Sequence, residues 1–127
     1  MKILVVDDSQ IMRNILKNVI HEKRIKGGEI LEAPNGQEAF LIMEDQTIDV
    51  LFVDWNMPEL NGLELVKLLR ERDKYKNLPI LMVTAEAAKY NVMEAIKAGV
   101  TDYITKPITG PTLLKKIDKY LNQNGQG

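Results

Sequence analysis

The fold is decided by the stretch Asp49-Val50-Leu51-Phe52-Val53-Asp54-Trp55-Asn56-Met57-Pro58. Apolar residues that favour β structure run directly into a carboxylate, and a turn-forming Asn and a Pro follow. This pattern is typical of a buried parallel strand that ends at an acidic side chain. We therefore predict that Asp54 lies at the C-terminal edge of a central strand, where polar side chains usually carry chemistry.

The same order of strand and then helix recurs on both sides of this stretch. Short apolar runs bounded by polar residues predict buried strands. Besides the Asp54 strand, they are expected at Lys2 to Val6, Glu29 to Ala33, Ile80 to Thr84 and Asp102 to Thr105.

Start signals and apolar spacing predict a helix after each strand. Ser9 can cap the first helix, and Asn35 and Asn61, each three residues before a Glu, predict capping boxes for the second and third. The fourth helix is predicted to begin at Glu86, and the fifth to span Pro111 to Leu121. The apolar positions expected to face the core in the first and fourth helices are Ile11, Ile15, Leu16, Val19, Ile20, Val92, Met93 and Ile96.

Five strands that alternate with five helices predict an α/β protein, a three-layer sandwich with helices on both faces of a five-stranded parallel sheet. In such sheets the ligand crevice lies beyond the C-terminal ends of the strands. The residues expected at those ends are Asp7, Asp8, Asp54, Thr84 and Lys106.

Composition places the chain among soluble globular proteins. The 127 residues are 45% apolar and 28% charged, which suits one domain, predicted at 1–122 with a flexible tail at 123–127. Lys and Arg number 17 against 18 Asp and Glu, and positive and negative residues alternate along the chain. We therefore expect no positive electrostatic surface that would attract nucleic acid or an anionic membrane. There is no Cys and no apolar run long enough for a membrane span or a signal peptide. We expect a cytoplasmic monomer.

The strand-end residues together predict a metal and phosphoryl site. Carboxylates about 4 Å apart repel by roughly 4 kcal/mol at an effective dielectric near 20, and a divalent cation would relieve this. A few oxygen ligands without His or Cys suit Mg²⁺. Lys106 and Thr84 could hold phosphoryl oxygens while Asp54 attacks phosphorus and forms an acyl phosphate.

Each of these residues also has a structural explanation when it is taken alone. Asp7 and Asp8 could simply cap the first helix, and Asp54 could be a loop acid. Thr84 is common at strand ends, and a Lys before Pro is usually a solvated turn residue. Their joint placement on one predicted edge favours the site.

Four motifs resemble the receiver domain of two-component response regulators, its chemotaxis members in particular. The resemblance covers essentially the whole chain and implies a flavodoxin-like (βα)5 fold with strand order 2-1-3-4-5. The motifs are Asp7-Asp8-Ser9 followed by Met12-Arg13, then Asp54-Trp55-Asn56-Met57-Pro58, Met82-Val83-Thr84-Ala85-Glu86, and Lys106-Pro107.

The resemblance implies that a histidine kinase donates a phosphoryl group to Asp54. By the same resemblance, Mg²⁺ is bound by Asp8, by Asp54 and by the backbone carbonyl of Asn56, and Asp7 orients it through water. The side chains of Asn56 and Glu86 would flank the attacking water and set the lifetime of the adduct.

The resemblance also implies a two-state switch. Thr84 would move toward the phosphoryl group while Tyr103 turns inward, and a cis peptide is expected at Lys106-Pro107. The readout face would be formed by the fourth helix, fifth strand and fifth helix, although a merely solvated Lys-rich face remains the alternative. Its candidate contact residues are Lys89, Tyr90, Tyr103, Lys115 and Lys119.

We therefore expect a stand-alone response regulator that is not an enzyme acting on external substrates. Its partners would be a histidine kinase and a motility switch protein or a phosphatase. Ile108, where chemotaxis members often have Phe, and a longer link from Glu22 to Gly28 bear on which partner binds. The alternatives are a phosphorelay intermediate and a Mg²⁺-dependent phosphohydrolase with an aspartyl intermediate. A nucleotide or flavin binder is disfavoured, because no Gly-rich phosphate-binding loop follows any predicted strand.

Overall fold

The computed structural model of the protein describes residues 2–22 and 29–122. None of the helices in these two segments is long and apolar enough to cross a membrane. A 3₁₀ turn over Asp73–Tyr75 follows α3, and a π-helical turn over Asp118–Asn122 continues α5. The strands and helices alternate as β1 (Lys2–Val6), α1 (Gln10–Glu22), β2 (Glu29–Ala33), α2 (Gly36–Asp45), β3 (Val50–Val53), α3 (Gly62–Arg70), β4 (Ile80–Thr84), α4 (Lys89–Ala98), β5 (Asp102–Thr105) and α5 (Gly110–Ile117).

The five strands form one parallel sheet in the order β2-β1-β3-β4-β5, which confirms the predicted α/β class, the flavodoxin-like topology and the strand order. The order reverses at β1, which lies between β2 and β3. In the sheet register Val6 pairs with Val53, and Val53 pairs with Met82. The residues that follow β1 and β3 therefore leave the sheet at the same level.

Both faces of the central strands are buried, which explains why the strands read as unbroken apolar runs. Ile3 and Val5 lie in the core that α1 and α5 cover, while Leu4 and Val6 lie in the core on the α2 and α3 side. Phe52 of β3 is only 1% exposed. At about 25 cal/mol per Å² of buried apolar surface, these two layers supply most of the favourable free energy of folding.

The predicted helix starts at Ser9, Asn35 and Asn61 are confirmed. The Ser9 hydroxyl accepts a hydrogen bond from the Met12 amide at 3.3 Å, and the Asn35 side chain accepts one from the Glu38 amide at 2.9 Å. The capping box predicted at α2 is only half formed, because the Glu38 carboxylate accepts from the Asn35 side-chain amide, at 3.4 Å, rather than from its backbone. Asn61 and Glu64 form a complete capping box at α3. Each cap satisfies an amide that a helix start would otherwise leave unpaired, which is typically worth about 1 kcal/mol.

Two predicted helix boundaries were wrong. The fourth helix begins at Lys89 rather than at Glu86, because the backbone N–H of Glu86 bonds instead to the Thr84 hydroxyl at 3.4 Å and its carbonyl accepts from Tyr103. The fifth begins one residue earlier than predicted, at Gly110, and its last predicted residues form the π-helical turn.

The apolar faces predicted for α1 and α4 were partly wrong. Leu16 and Ile20 are buried as predicted, but Ile11 is 72% exposed. Met93 and Ile96 of α4 are 51% and 58% exposed. Only a narrow strip of each helix surface contacts the sheet, so apolar residues beside that strip remain exposed to solvent.

Two predictions fall on residues that the structure does not describe. The longer link between α1 and β2 involves residues 23–28, and the predicted flexible tail is 123–127. Both lie outside the described segments.

Gly62 brings α3 into contact with the backbone at the end of β3. Its N–H donates a hydrogen bond to the Trp55 carbonyl at 2.9 Å. A Cβ atom at this position would lie 2.0 Å from the carbonyl oxygen of Asp54, whereas a Cβ on Gly110 would meet nothing within 4 Å. Only a residue without a side chain allows α3 to start this close to Asp54.

We expect Gly62→Ala to destabilise the protein by about 3 kcal/mol or more, because the added methyl group overlaps backbone atoms that cannot rotate away. Gly110→Ala is the matched control and should be neutral or stabilising by up to about 1 kcal/mol. Urea denaturation followed by Trp55 fluorescence would measure both. Equal free energies of unfolding for the two variants would contradict the close approach.

At the other end of the sheet, Glu44 joins the end of α2 to the segment after α3. It forms ion pairs with Lys74, at 2.9 Å, and with Arg72, and it accepts a hydrogen bond from the Tyr75 hydroxyl at 2.8 Å. The hydrogen bonds from Lys74 and Tyr75 are the main reason that the pKa of Glu44 falls to about 2.

We expect Glu44→Gln to have a lower free energy of unfolding than the wild type at pH 7, and we expect this difference to become smaller in acid. The folded-state pKa of Glu44 lies below its ordinary value of 4.5, so its stabilising effect is present above that pH. The effect is lost as the pH falls toward about 2. Urea denaturation at pH 7 and pH 3 would measure the difference in the free energy of unfolding. An equal difference at the two pH values would contradict the lowered pKa of Glu44.

Candidate functional site

The site begins with two acids on neighbouring strands. Asp7 follows β1 and Asp54 follows β3, and both residues are still held by sheet hydrogen bonds. The Asp7 amide donates to the Ala33 carbonyl at 3.1 Å, and the Asp54 amide donates to the Val6 carbonyl at 2.9 Å. These backbone contacts place the two carboxylates side by side at the C-terminal edge of the sheet.

Lys106, which follows β5, lies between these carboxylates. Its Nζ is 3.1 Å from Asp7 Oδ2 and 3.2 Å from Asp54 Oδ2. Burial by itself lowers the pKa of Lys106, but hydrogen bonds and charge from Asp7 and Asp54 outweigh it, so the pKa is raised. The ammonium therefore stays charged and offsets part of the repulsion between the two acids.

Asp54 has one carboxylate oxygen in use and one available. Its Oδ1 is buried and has no hydrogen-bond partner among the described residues. Asp7 differs, since its Oδ1 accepts from the Ser9 amide at 2.9 Å. Leaving a buried carboxylate oxygen unpaired is costly, so Oδ1 of Asp54 marks a place where a ligand would be stabilised.

Three of the residues predicted to bind the metal lie close together at this edge of the sheet. Asp7, Asp8 and Asp54 each offer a carboxylate oxygen, and the three atoms lie within 4.8 Å of one another. Asp7 and Asp54 are buried, whereas Asp8 is exposed, so the cluster is open to water on one side. An all-oxygen, partly hydrated and acidic site fits Mg²⁺.

Thr84, at the end of β4, and Tyr103, on β5, both contact the loop that carries Glu86. Thr84 is fully buried and its hydroxyl accepts from the Glu86 amide, while the Tyr103 hydroxyl donates to the Glu86 carbonyl. Burial is the first cause of a raised pKa for Tyr103, and the charges of Glu86 and Asp54 raise it further. The phenol therefore remains protonated and able to donate.

Asn56 and Glu86 are brought into direct contact although they are far apart in sequence. Asn56 Nδ2 donates to Glu86 Oε1 at 2.9 Å. The contact joins the loop after β3 to the loop after β4. Both of these loops leave the same edge of the sheet as Asp54.

Two residues at this edge were not assigned a role from the sequence. Arg13 of α1 is buried and donates to the Asp7 carbonyl and to Glu32 on β2, the latter at 3.0 Å, so it fixes the end of β1. Asn91 of α4 donates to Glu86 Oε2 at 3.2 Å. A single Arg or Asn on a helix is usually solvated, and no spacing signal distinguishes these two.

The peptide bond between Lys106 and Pro107 is cis, the isomer that the family resemblance implied. Ile108, in the following turn, is half-buried and packs against the core that α1 and α5 cover.

The residues of the expected readout face lie on the surface, apart from half-buried Tyr103. Lys89 and Tyr90 are on the first turn of α4, Lys115 is on α5, and Lys119 is on the π-helical turn that follows.

Comparison with known proteins agrees with this geometry. Residues 3–118 match the family described as response regulator receiver domain. A chemotaxis protein CheY homolog of Campylobacter jejuni is 48% identical over 129 residues, covering 100% of this chain and 98% of the relative. Chemotaxis protein CheY1 of Helicobacter pylori is 46% identical and covers 98% of this chain and 99% of the relative.

Solved structures agree with the sequence relatives. A CheY4 structure from Vibrio cholerae superposes with a TM-score of 0.84 at 34% identity, covering 94% of this chain and 97% of that one. A structure of a response regulator from Chloroflexus aurantiacus superposes with a TM-score of 0.87 at 30% identity, covering 95% and 97%. The chain therefore belongs to the response regulator receiver domain family and, within it, to the CheY-type chemotaxis regulators.

Proposed function

We propose that the protein is a stand-alone cytoplasmic response regulator that accepts a phosphoryl group on Asp54 from a histidine kinase and then binds a motility target. The observation that carries this proposal is the state of Asp54: one oxygen is held by Lys106 and the other is buried and unpaired. Receiver domains of this type are signalling proteins rather than enzymes with external substrates. A CheY-type receiver domain implies, in general, a histidine kinase donor and a motility target.

In the proposed transfer, an oxygen of Asp54 forms a bond to phosphorus while the bond from phosphorus to an imidazole nitrogen of the donor breaks. The imidazole keeps the bonding electron pair and takes up a proton. Lys106 lies 3.2 Å from Asp54, where its charge can stabilise the negative charge on the phosphoryl oxygens.

Mg²⁺ would be held by Asp8, by Asp54 and by the backbone carbonyl of Asn56, with Asp7 acting through water. When bound, it would neutralise charge on the carboxylates and on the phosphoryl oxygens. The support from the protein's own residues is the three carboxylate oxygens within 4.8 Å of one another, one of them from exposed Asp8.

Loss of the phosphoryl group would occur by attack of water on phosphorus, which restores the Asp54 carboxylate and releases inorganic phosphate. We propose that Asn56 and Glu86 set the rate, because they meet at 2.9 Å between two loops that leave this edge of the sheet. They act by controlling how water reaches the acyl phosphate.

The signal would be read by a change at Thr84 and Tyr103. Thr84 would donate a hydrogen bond from its hydroxyl to a phosphoryl oxygen, and this movement would change the geometry of the bond that the hydroxyl accepts from the Glu86 amide, while Tyr103 donates to the carbonyl of that residue. The change would reach the surface formed by α4, β5 and α5, where a motility switch protein or a phosphatase would bind.

We expect acetyl phosphate with Mg²⁺ to label the wild type on Asp54 and to leave Asp54→Asn unlabelled, because an amide is a poor nucleophile. Borohydride reduction of the acyl phosphate, followed by peptide mass analysis, would locate the label. Asp45→Asn is the matched control, since Asp45 is exposed at the end of α2, away from the site. Label on another residue, or label retained in Asp54→Asn, would contradict the mechanism.

We expect Asp8→Asn to weaken Mg²⁺ binding by about tenfold or more, since it removes a charged ligand from a small site. Trp55 follows Asp54 directly and packs against the core, so its fluorescence can report binding. Titration with MgCl₂ gives the dissociation constant, again with Asp45→Asn as control. An unchanged constant in Asp8→Asn would exclude Asp8 as a ligand.

A further inference from the structure

We propose that Asn91 of α4 is a positioning residue that holds Glu86 against Asn56 and thereby lengthens the lifetime of the phosphoryl group on Asp54. This inference rests on the proposed function of Asp54. It adds a third residue, from a different element, to the pair proposed to control hydrolysis.

Glu86 is fixed through both its backbone and its carboxylate. Its N–H donates to Thr84 at 3.4 Å and its carbonyl accepts from Tyr103. Its Oε1 accepts from Asn56 at 2.9 Å, and its Oε2 accepts from Asn91 at 3.2 Å. Each carboxylate oxygen is therefore taken by a separate side-chain amide.

One of the two amides comes from a loop and the other from a helix. Asn56 lies in the loop after β3, whereas Asn91 lies in the first turn of α4, where its own N–H donates to the Ala88 carbonyl at 2.9 Å. Asn91 is thus the anchor that connects the Asn56 and Glu86 pair to a helix.

Without this anchor, the contact between Glu86 and Asn56 would open more often. A Glu side chain loses considerable rotamer freedom when it is held in one position, and a single hydrogen bond barely offsets that loss near solvent. The second hydrogen bond, from Asn91, restricts the carboxylate to the position that meets Asn56. The closed contact narrows the approach of water to phosphorus, so opening it should speed hydrolysis.

The test measures the lifetime of the phosphoryl group in the full chain. The wild type, Asn91→Ala, Glu86→Ala and the double variant are labelled with acetyl phosphate and Mg²⁺, the donor is removed by gel filtration, and released inorganic phosphate is followed. We expect Asn91→Ala to release phosphate about 3 to 10 times faster than the wild type, as the loss of one hydrogen bond would give. In the Glu86→Ala background the same substitution should have no effect.

Two further variants separate positioning from a general disturbance of α4. Asn91→Asp keeps the size of the side chain but replaces the donor with a charge that repels Glu86, so it should accelerate release at least as much as Asn91→Ala. It also provides the comparison if Asn91→Ala does not fold. Lys97→Ala, an exposed position in the last turn of α4, should match the wild type. The Mg²⁺ dissociation constant should be unchanged in all α4 variants.

An unchanged or longer lifetime in the Asn91 variants would overturn the proposal. So would an acceleration of equal size with and without Glu86, because Asn91 would then act independently of that residue. Failure of the wild type to be labelled at all would instead refute the proposed function of Asp54.

Discussion

The structure depends on two like charges that the sheet forces together. Asp7 and Asp54 follow adjacent parallel strands, and the backbone hydrogen bonds that pair those strands keep the main chains of the two acids close together. These main chains cannot move apart without breaking hydrogen bonds of the sheet. The protein offsets the repulsion with Lys106, and it leaves one Asp54 oxygen without a partner among the described residues. The reactivity proposed for Asp54 is a consequence of this enforced closeness.

Much of the fold could be predicted because its signals are local. Strands buried on both faces read as apolar runs, and the bounds of β2, β4 and β5 agree with those runs. Helix starts at Asn35 and Asn61 depend on contacts within four residues, which a sequence displays directly. The convergence of Asp7, Asp54 and Lys106 could be predicted as well, because parallel strands present their C-terminal ends at one edge.

The remainder depends on contacts between distant elements, which a single sequence does not display. The burial of Arg13 depends on Glu32 from β2, and the role proposed for Asn91 depends on the orientation of the Glu86 side chain. The exposure of Ile11 and Ile96 is set by how narrowly each helix lies on the sheet, which apolar spacing alone overestimates. Gly62 reads as an ordinary residue near a helix start until the nearby Asp54 carbonyl is known.

Because Gly62 approaches Asp54 so closely, the two sides of the acid differ in how easily they can move. On the α3 side, the backbone of Gly62 packs against the backbone of Asp54 with no room for even a methyl group, so Asp54 has no space to move in that direction. On the β4 side, the neighbouring loop is held by side-chain hydrogen bonds, including one of 3.4 Å from Glu86 to Thr84. We therefore expect a chemical change at Asp54 to displace the β4 side first, toward α4 and β5 rather than toward α2 and α3. In this proposal the direction of the displacement is set by a residue that has no side chain.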